Sequence, residues 1–376
     1  MNIFLFAIYL VFILYHLYRS LSGKTKWLGT VFTILFLLFL INGCDYKQIY
    51  DLSNYSAQYT EYDPLKNDNF ALYYIFFYAI KIGQIMGLSF ETWWSVMNCL
   101  AFGVMLFALY KHRYNPHLFM LFFMAYYAIH YYTGIKAFYG FCIYLLASGY
   151  LLRGGLPNKI KYAVLTAVAG GFHVMYYVYL VFLLISTGKA DAEPSASSIK
   201  RKNRLLSIVI ALSLVFSVIL KISGSANSFF ARLFSFFEME SEKIETYLEL
   251  STNWGFLIPV CIQLLCLLFA YNYRIVTSAY ESNLRRRGLI LYYLNFMQII
   301  FYPFFMLSTT FMRFITYFVP VSFCVTGAGF GRLSFAHRKR VLFFGAIVIL
   351  GYYFRSFVLG SMWEVSIIPL FTNRFI

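Results

Sequence analysis

Few residues of this chain can do chemistry, because only 12% of its 376 residues are charged. Four ionisable residues stand in or beside long apolar runs: Lys136, His173, Lys221 and Arg313. An ionisable group at such a position is costly to bury and is a functional candidate by default. Lys136 follows Tyr132-Thr133-Gly134-Ile135, and Arg313 follows Ser308-Thr309-Thr310-Phe311-Met312. His173 comes after Gly170-Gly171-Phe172. Paired glycines break a helix cheaply, which puts His173 at the start of a second half-helix. A helix start has free N–H groups and a positive dipole end, suited to an anion such as a phosphate. The carboxylates gather elsewhere, in 44–94. Asp45 directly follows an apolar run, so a rigid element holds it, and a carboxylate so held can take a proton from an attacking hydroxyl. Tyr46 and Tyr50 beside it offer ring faces that could stack on sugars. Each residue also has a plainer reading: Lys136 as an interfacial lysine, Arg313 and Lys221 as anchors, His173 as a hydrogen-bonded core group, Asp45 as a helix cap and the tyrosines as interface residues. The six cysteines form no Cys-x-x-Cys and no His-Glu-x-x-His occurs, so no metal or other cofactor is expected.

The elements that position these residues follow from composition. The chain is 61% hydrophobic and 22% aromatic. A soluble domain has about 45–50% apolar and 25% charged residues. This excess excludes a soluble enzyme, a disordered chain and a disulfide-rich module. Backbone groups in lipid must be satisfied internally, by helices or a closed barrel. The apolar runs are long and continuous, without the alternation of barrel strands, so helices are expected. The start, Met1-Asn2-Ile3-Phe4, lacks a basic n-region and reads as the first span, with no signal peptide.

The net charge of +16 is distributed as membrane topology requires, with basic residues in short loops, and does not point to nucleic acid. Basic loops include Arg19, Lys24 and Lys26; Lys111 with Arg113; Arg153, Lys159 and Lys161; and Arg338, Lys339 and Arg340. The last cluster and Arg285, Arg286 and Arg287 read as topogenic and lipid-facing. Outer loop 44–94 has six acidic residues against three basic ones, and outer loop 224–253 five against two. The signs alternate if 69–87 lies along the outer interface and 161–186 enters and leaves on the cytoplasmic side. The expectation is one all-α membrane domain over 1–376. It has about ten spans plus one re-entrant pair, a cytoplasmic linker loop at 187–204, and both termini outside.

Four places resemble the EpsG-type, Wzy-like polymerases of bacterial exopolysaccharide and O-antigen synthesis. Gly43-Cys44-Asp45-Tyr46, with Tyr50 after it, resembles the family's Gly-x-Asp followed by tyrosines. Gly134-Ile135-Lys136-Ala137 resembles its Arg-initiated helix, with lysine in place of arginine. Gly170-Gly171-Phe172-His173-Val174-Met175 resembles its Phe-His-x-Ser step, and Arg313-Phe314-Ile315-Thr316-Tyr317-Phe318 its Arg-x-x-x-Tyr-Phe step.

The resemblance implies a GT-C-like glycosyltransferase of a bacterial inner membrane. It would join polyprenyl-diphosphate-linked repeat units into exopolysaccharide, capsule or O-antigen on the outer face, without a nucleotide sugar. Asp45 and His173 would be catalytic. Lys136, His173 and Arg313 would bind the diphosphate, and Tyr46 and Tyr50 the sugars. The partners would be the lipid-linked donor and acceptor, membrane lipid and other polysaccharide-assembly proteins. Two alternatives stand beside this: a transferase adding one sugar from a polyprenyl-phosphate donor, and a flippase of lipid-linked glycans.

The charge reading sets a labelling experiment. A cysteine introduced at Ala196 should react with thiol reagents only from the cytoplasm, and one at Ser241 only from outside. Labelling of Ala196 from outside would mean that 161–186 crosses once.

Overall fold

The computed structural model describes residues 1–23, 26–61, 63–67, 70–129, 132, 134–185, 196–223, 228, 257–307, 313–327, 329–358 and 367–375. Among them no strand forms, and one isolated bridge pairs Cys44 with Asn373. The helices in chain order are α1 (Ile3–Ser22), α2 (Leu28–Gly43), α3 (Tyr50–Glu61), α4 (Tyr74–Ile85), α5 (Phe90–Lys111), α6 (Pro116–Phe122), α7 (Ile135–Arg153) and α8 (Leu156–Phe172). They continue as α9 (Ala196–Ile222), α10 (Leu257–Ser278), α11 (Ser282–Met297), α12 (Tyr302–Leu307), α13 (Arg313–Thr316), α14 (Val319–Gly327), α15 (Phe335–Val358) and α16 (Ile368–Leu370). Six described stretches are long and apolar enough to cross a membrane: α1, α5, α7, Asn203–Leu220 of α9, α10 and Ser282–Phe305. The chain divides into two compact units, residues 1–181 with 320–376, and residues 182–319.

In the first unit α7 and α8 form the most extensive helix pair. Glycine and tyrosine together explain how close they lie. A Cβ on Gly140 would meet the Tyr176 ring and the Ala169 carbonyl. The bare backbone there lets Tyr176 lie flat and donate its hydroxyl to the Ala137 carbonyl at 2.8 Å. Tyr162 likewise donates to the Tyr179 carbonyl at 2.6 Å. At the other end of α7, the ring of His112 fills the space above Gly149 and bonds the Leu146 carbonyl at 2.9 Å.

The apolar run that begins with α6 is only partly a regular helix. After α6 the chain widens into a π-helical stretch, Phe123–Ala128. Such a stretch disturbs the regular pattern of carbonyl acceptors. Tyr9 of α1 donates to the Met124 carbonyl at 2.6 Å and Tyr353 of α15 to the Ala125 carbonyl at 2.5 Å. These bonds fasten α1 and α15 to the widened turn.

The interruption expected in 161–186 is present, but the glycines do not make it. Gly170 and Gly171 remain helical in α8, and the break falls at His173, an extended residue with φ −150° and ψ 116°. A 3-10 helix, Val174–Leu184, follows it. The glycines serve close packing instead. Tyr177 folds over Gly170, and Tyr74 and Ile75 of α4 lie on Gly171. Of the linker expected over 187–204, the residues from Ala196 onward belong to α9, and 187–195 lie outside the described residues. Outer loop 224–253 lies outside the described residues, apart from Ser228.

In the second unit α10 and α11 pair most extensively. The Gln263 amide donates to the Asn295 carbonyl, and Gly288 of α11 sits on Thr277 and the Arg274 backbone. Ser213 of α9 donates to the Ile300 carbonyl at 3.1 Å.

Two glycine substitutions separate packing from helix propensity. Gly→Ala inside a helix gains about 1 kcal/mol of propensity, whereas overpacking costs about 1–3 kcal/mol. Gly103 faces open space, so Gly103→Ala should leave thermal stability in detergent unchanged or raise it. Gly140→Ala should lower it. Equal effects would show that Tyr176 does not depend on the bare backbone of Gly140.

Candidate functional site

Lys136 sits in the first turn of α7, where its charge opposes the positive end of the helix dipole. The helices within 44–94 offset this. The Lys136 ammonium lies 4.3 Å from the ring centre of Tyr73, 5.0 Å from Phe76, 5.1 Å from Tyr55 and 5.2 Å from Phe77. Ring faces are negative and attract a cation without an acid. The cage draws on α3, on α4 and on Tyr73 directly before α4, so the loop helices and α7 complete it together.

His173 shares that cage. Its ring meets Tyr73 edge-on at 5.6 Å. Its N–H closes α8 on the Ala169 carbonyl at 3.0 Å, and its carbonyl accepts the N–H of Tyr176 at 3.0 Å. Its Nδ1 accepts the Met175 N–H at 3.4 Å. That bond leaves the ring proton on Nε2, a neutral donor suited to an oxyanion. Tyr176, three residues on, is the side chain bonded to Ala137, so one tyrosine fixes the spacing of His173 and Lys136.

Asp45 belongs to a second cluster. It caps the turn Tyr46–Gln48, accepting from the Lys47 N–H at 3.2 Å and from the Gln48 amide at 2.9 Å. Tyr46 is buried and donates to the Glu91 carboxylate at 2.6 Å. Burial first, and then that bond, push its phenol above the usual range, so it stays a donor. Burial pushes the neighbouring Cys44 thiol up to about 12. Arg374 reaches this cluster from the far end of the chain. Its guanidinium lies 5.9 Å from the Tyr46 ring centre and bonds the Asn42 carbonyl at 3.1 Å. Tyr50 is 79% exposed.

Rings connect the two clusters. Tyr46 meets Phe90 at 5.2 Å, Phe90 meets Trp93 at 6.0 Å, and Trp93 meets Phe76 of the cage at 5.9 Å. Lys136 and His173 are therefore brought together, while Asp45 and Tyr46 stand at the other end of this aromatic wall. Arg313 opens α13 in the second unit and is exposed. Lys221 belongs to α9.

Sequence reasoning passed over Tyr73, Glu91 and Arg374. Glu91 carried one signal, the Ser89-Phe90-Glu91-Thr92 helix start, in which Ser89 Oγ accepts the Thr92 N–H. Arg374 carried none. Among the described residues no group of three His, Cys, Asp or Glu side chains comes together as metal donors would.

No curated protein and no solved structure matches the chain. The sequence model of the EpsG family matches residues 28–370. That span runs from α2 to α16 and includes Asp45, Lys136, His173 and Arg313. With its apolar helices, this makes the chain a multi-pass membrane protein of the EpsG family.

Proposed function

We propose that the protein polymerises polyprenyl-diphosphate-linked oligosaccharide repeat units on the outer face of a bacterial inner membrane. The observation that carries this reading is the Lys136 ammonium held among four rings with the His173 ring against one of them. A diphosphate leaving group needs fixed positive charge and donors, and here a cation and a neutral N–H donor share one aromatic patch beside the first outer loop. The family supports polysaccharide synthesis at a membrane.

In the reaction, an acceptor hydroxyl attacks the anomeric carbon of the donor glycan. The bond from that carbon to the diphosphate oxygen breaks, and polyprenyl diphosphate leaves with the electron pair. Lys136 and the Nε2–H of His173 take up the charge that develops on it. The hydroxyl proton passes to a carboxylate, and we assign that role to Asp45. Tyr50 offers an exposed ring to a sugar, whereas Tyr46, buried against Phe90, positions Glu91. Arg313, at the start of its helix, is assigned to diphosphate binding on its own account. The reading includes a GT-C-like bundle of about ten spans plus the α8 re-entrant pair, with both termini outside.

Removing one group that stabilises developing charge costs about 100- to 1,000-fold in rate. Lys136→Ala, His173→Ala and Asp45→Asn should each abolish polymer on gels of extracted glycan, with protein abundance unchanged. Lys136→Arg should keep activity, because charge is what the cage holds. Arg313→Ala should abolish polymer, and Arg313→Lys should retain little, since the planar fork is lost. Polymer in proportion to abundance in Lys136→Ala would contradict the reading. Normal polymer length in Arg313→Ala would remove Arg313 from the site. Loss in Glu91→Gln with retention in Asp45→Asn would move the proton acceptor to Glu91.

A further inference from the structure

Asp45 follows a helix that does not close itself. The last turn of α2 holds no basic residue, and Cys44 after it is extended, with φ −65° and ψ 150°. A helix end leaves carbonyls unsatisfied and carries a partial negative charge. A segment distant in sequence supplies what is missing. Asn373 donates its side-chain amide to the Phe39 carbonyl at 3.2 Å. Arg374 donates its backbone N–H to the Gly43 carbonyl at 2.7 Å and Nη2 to the Asn42 carbonyl at 3.1 Å. The Cys44–Asn373 bridge joins the two stretches one residue before Asp45. On the other side of Asp45, the same guanidinium lies 5.9 Å from the ring centre of Tyr46.

Two further features fix this contact. A Cβ on Gly43 would meet the Asn373 amide, so the bare backbone there makes room for the cap. Phe371 is fully buried, edge-on to Phe6 at 5.1 Å and to Tyr9 at 5.3 Å, and its carbonyl accepts the Asn2 N–H at 2.7 Å. The segment is thus fastened to the start of α1 before it reaches α2. Packing alone is served by Phe371. Arg374 is exposed, yet its polar contacts fall on the residues that flank Asp45. It lies beyond residues 28–370, the stretch that the family's model matches.

We infer that residues 371–375 cap the end of α2 and that Arg374 is a positioning residue for Asp45, acting through the α2 end and the Tyr46 ring without touching substrate. That role rests on the reading of Asp45 as the proton acceptor, whereas the cap itself does not.

Two measurements on the purified protein separate them. The first follows alkylation of Cys44 by N-ethylmaleimide, resolved from the other cysteines by peptide mass spectrometry. Cys44 is fully buried and should label slowly. Arg374→Gln and Gly43→Ala should each speed its labelling by about ten-fold, because the segment opens locally. Lys339→Gln removes the same charge from an exposed site on α15, next to Arg338 at the Gly23 end of α1, and should change the rate by less than about two-fold. Unchanged labelling in Arg374→Gln and Gly43→Ala would overturn the cap. The second follows polyprenyl diphosphate release in liposomes supplied with polyprenyl-diphosphate-linked repeat units. Arg374→Gln should lower the rate at saturation by about ten- to 100-fold and leave the half-saturating concentration within about two-fold. Arg374→Lys keeps a cation at the helix end and should recover most of the rate. Added to Asp45→Asn, Arg374→Gln should cost less than about two-fold more of the residual single-linkage formation, since it acts through that aspartate. A full further loss there, or a raised half-saturating concentration with the maximal rate kept, would overturn the positioning role. No release by the unaltered protein would contradict the polymerase reading and the positioning role together, while Cys44 labelling still decides the cap.

Discussion

An ammonium group in the first turn of a helix, with no acid beside it in sequence, is the constraint on which the packing of α3 and α4 against α7 depends. The helix dipole opposes Lys136 by about 0.3–1 kcal/mol. Each ring face returns about 0.5–2 kcal/mol, depending on desolvation. Four rings within 5.2 Å of Nζ therefore outweigh the dipole. The cage forms only when α3, α4 and the residue before α4 fold onto the start of α7, so the same interaction that holds the cation also orders the loop around it. An arginine there would present a larger planar group to the same rings. Lysine gives a compact charge, suited to meeting an oxyanion from one side.

The packing behind the cage uses backbone carbonyls as fixed points. Tyr176 on Ala137, Tyr162 on Tyr179, Tyr9 on Met124 and Tyr353 on Ala125 each join a ring to a carbonyl between 2.5 and 2.8 Å. A buried hydroxyl left without a partner costs about 1–3 kcal/mol, so these pairs specify which helix faces meet. Glycines at 140, 170 and 171 remove the side chains that would keep the rings away. The distance between Lys136 and His173 is thus set by the packing of Tyr176 on Ala137 together with their shared contact with Tyr73.

Much of this was legible in the sequence, and the remainder has identifiable causes. Composition and apolar run length suffice for an all-helical membrane chain, because lipid leaves the backbone few alternatives. Lys136, His173 and Arg313 stand out because a charge in an apolar run is rare. The interruption in 161–186 was readable, but not its residue. A glycine's helix penalty of about 1 kcal/mol is small beside the packing of Tyr74, Ile75 and Tyr177 over Gly170 and Gly171, so those glycines stay helical. The rings of the cage were not readable, since Tyr55 and Tyr73 meet Lys136 only through tertiary folding. Glu91 counted as one loop charge among several, and Arg374 reaches Asn42 across 332 residues. Periodicity and spacing carry no information at that range.

The most direct measurement reconstitutes the purified protein in liposomes with polyprenyl-diphosphate-linked repeat units as the sole glycan source. The account predicts a ladder of polymer without added nucleotide sugar, with one polyprenyl diphosphate released for each linkage formed. Release of polyprenyl monophosphate, dependence on a nucleotide sugar, or products that stop after one added sugar would contradict it.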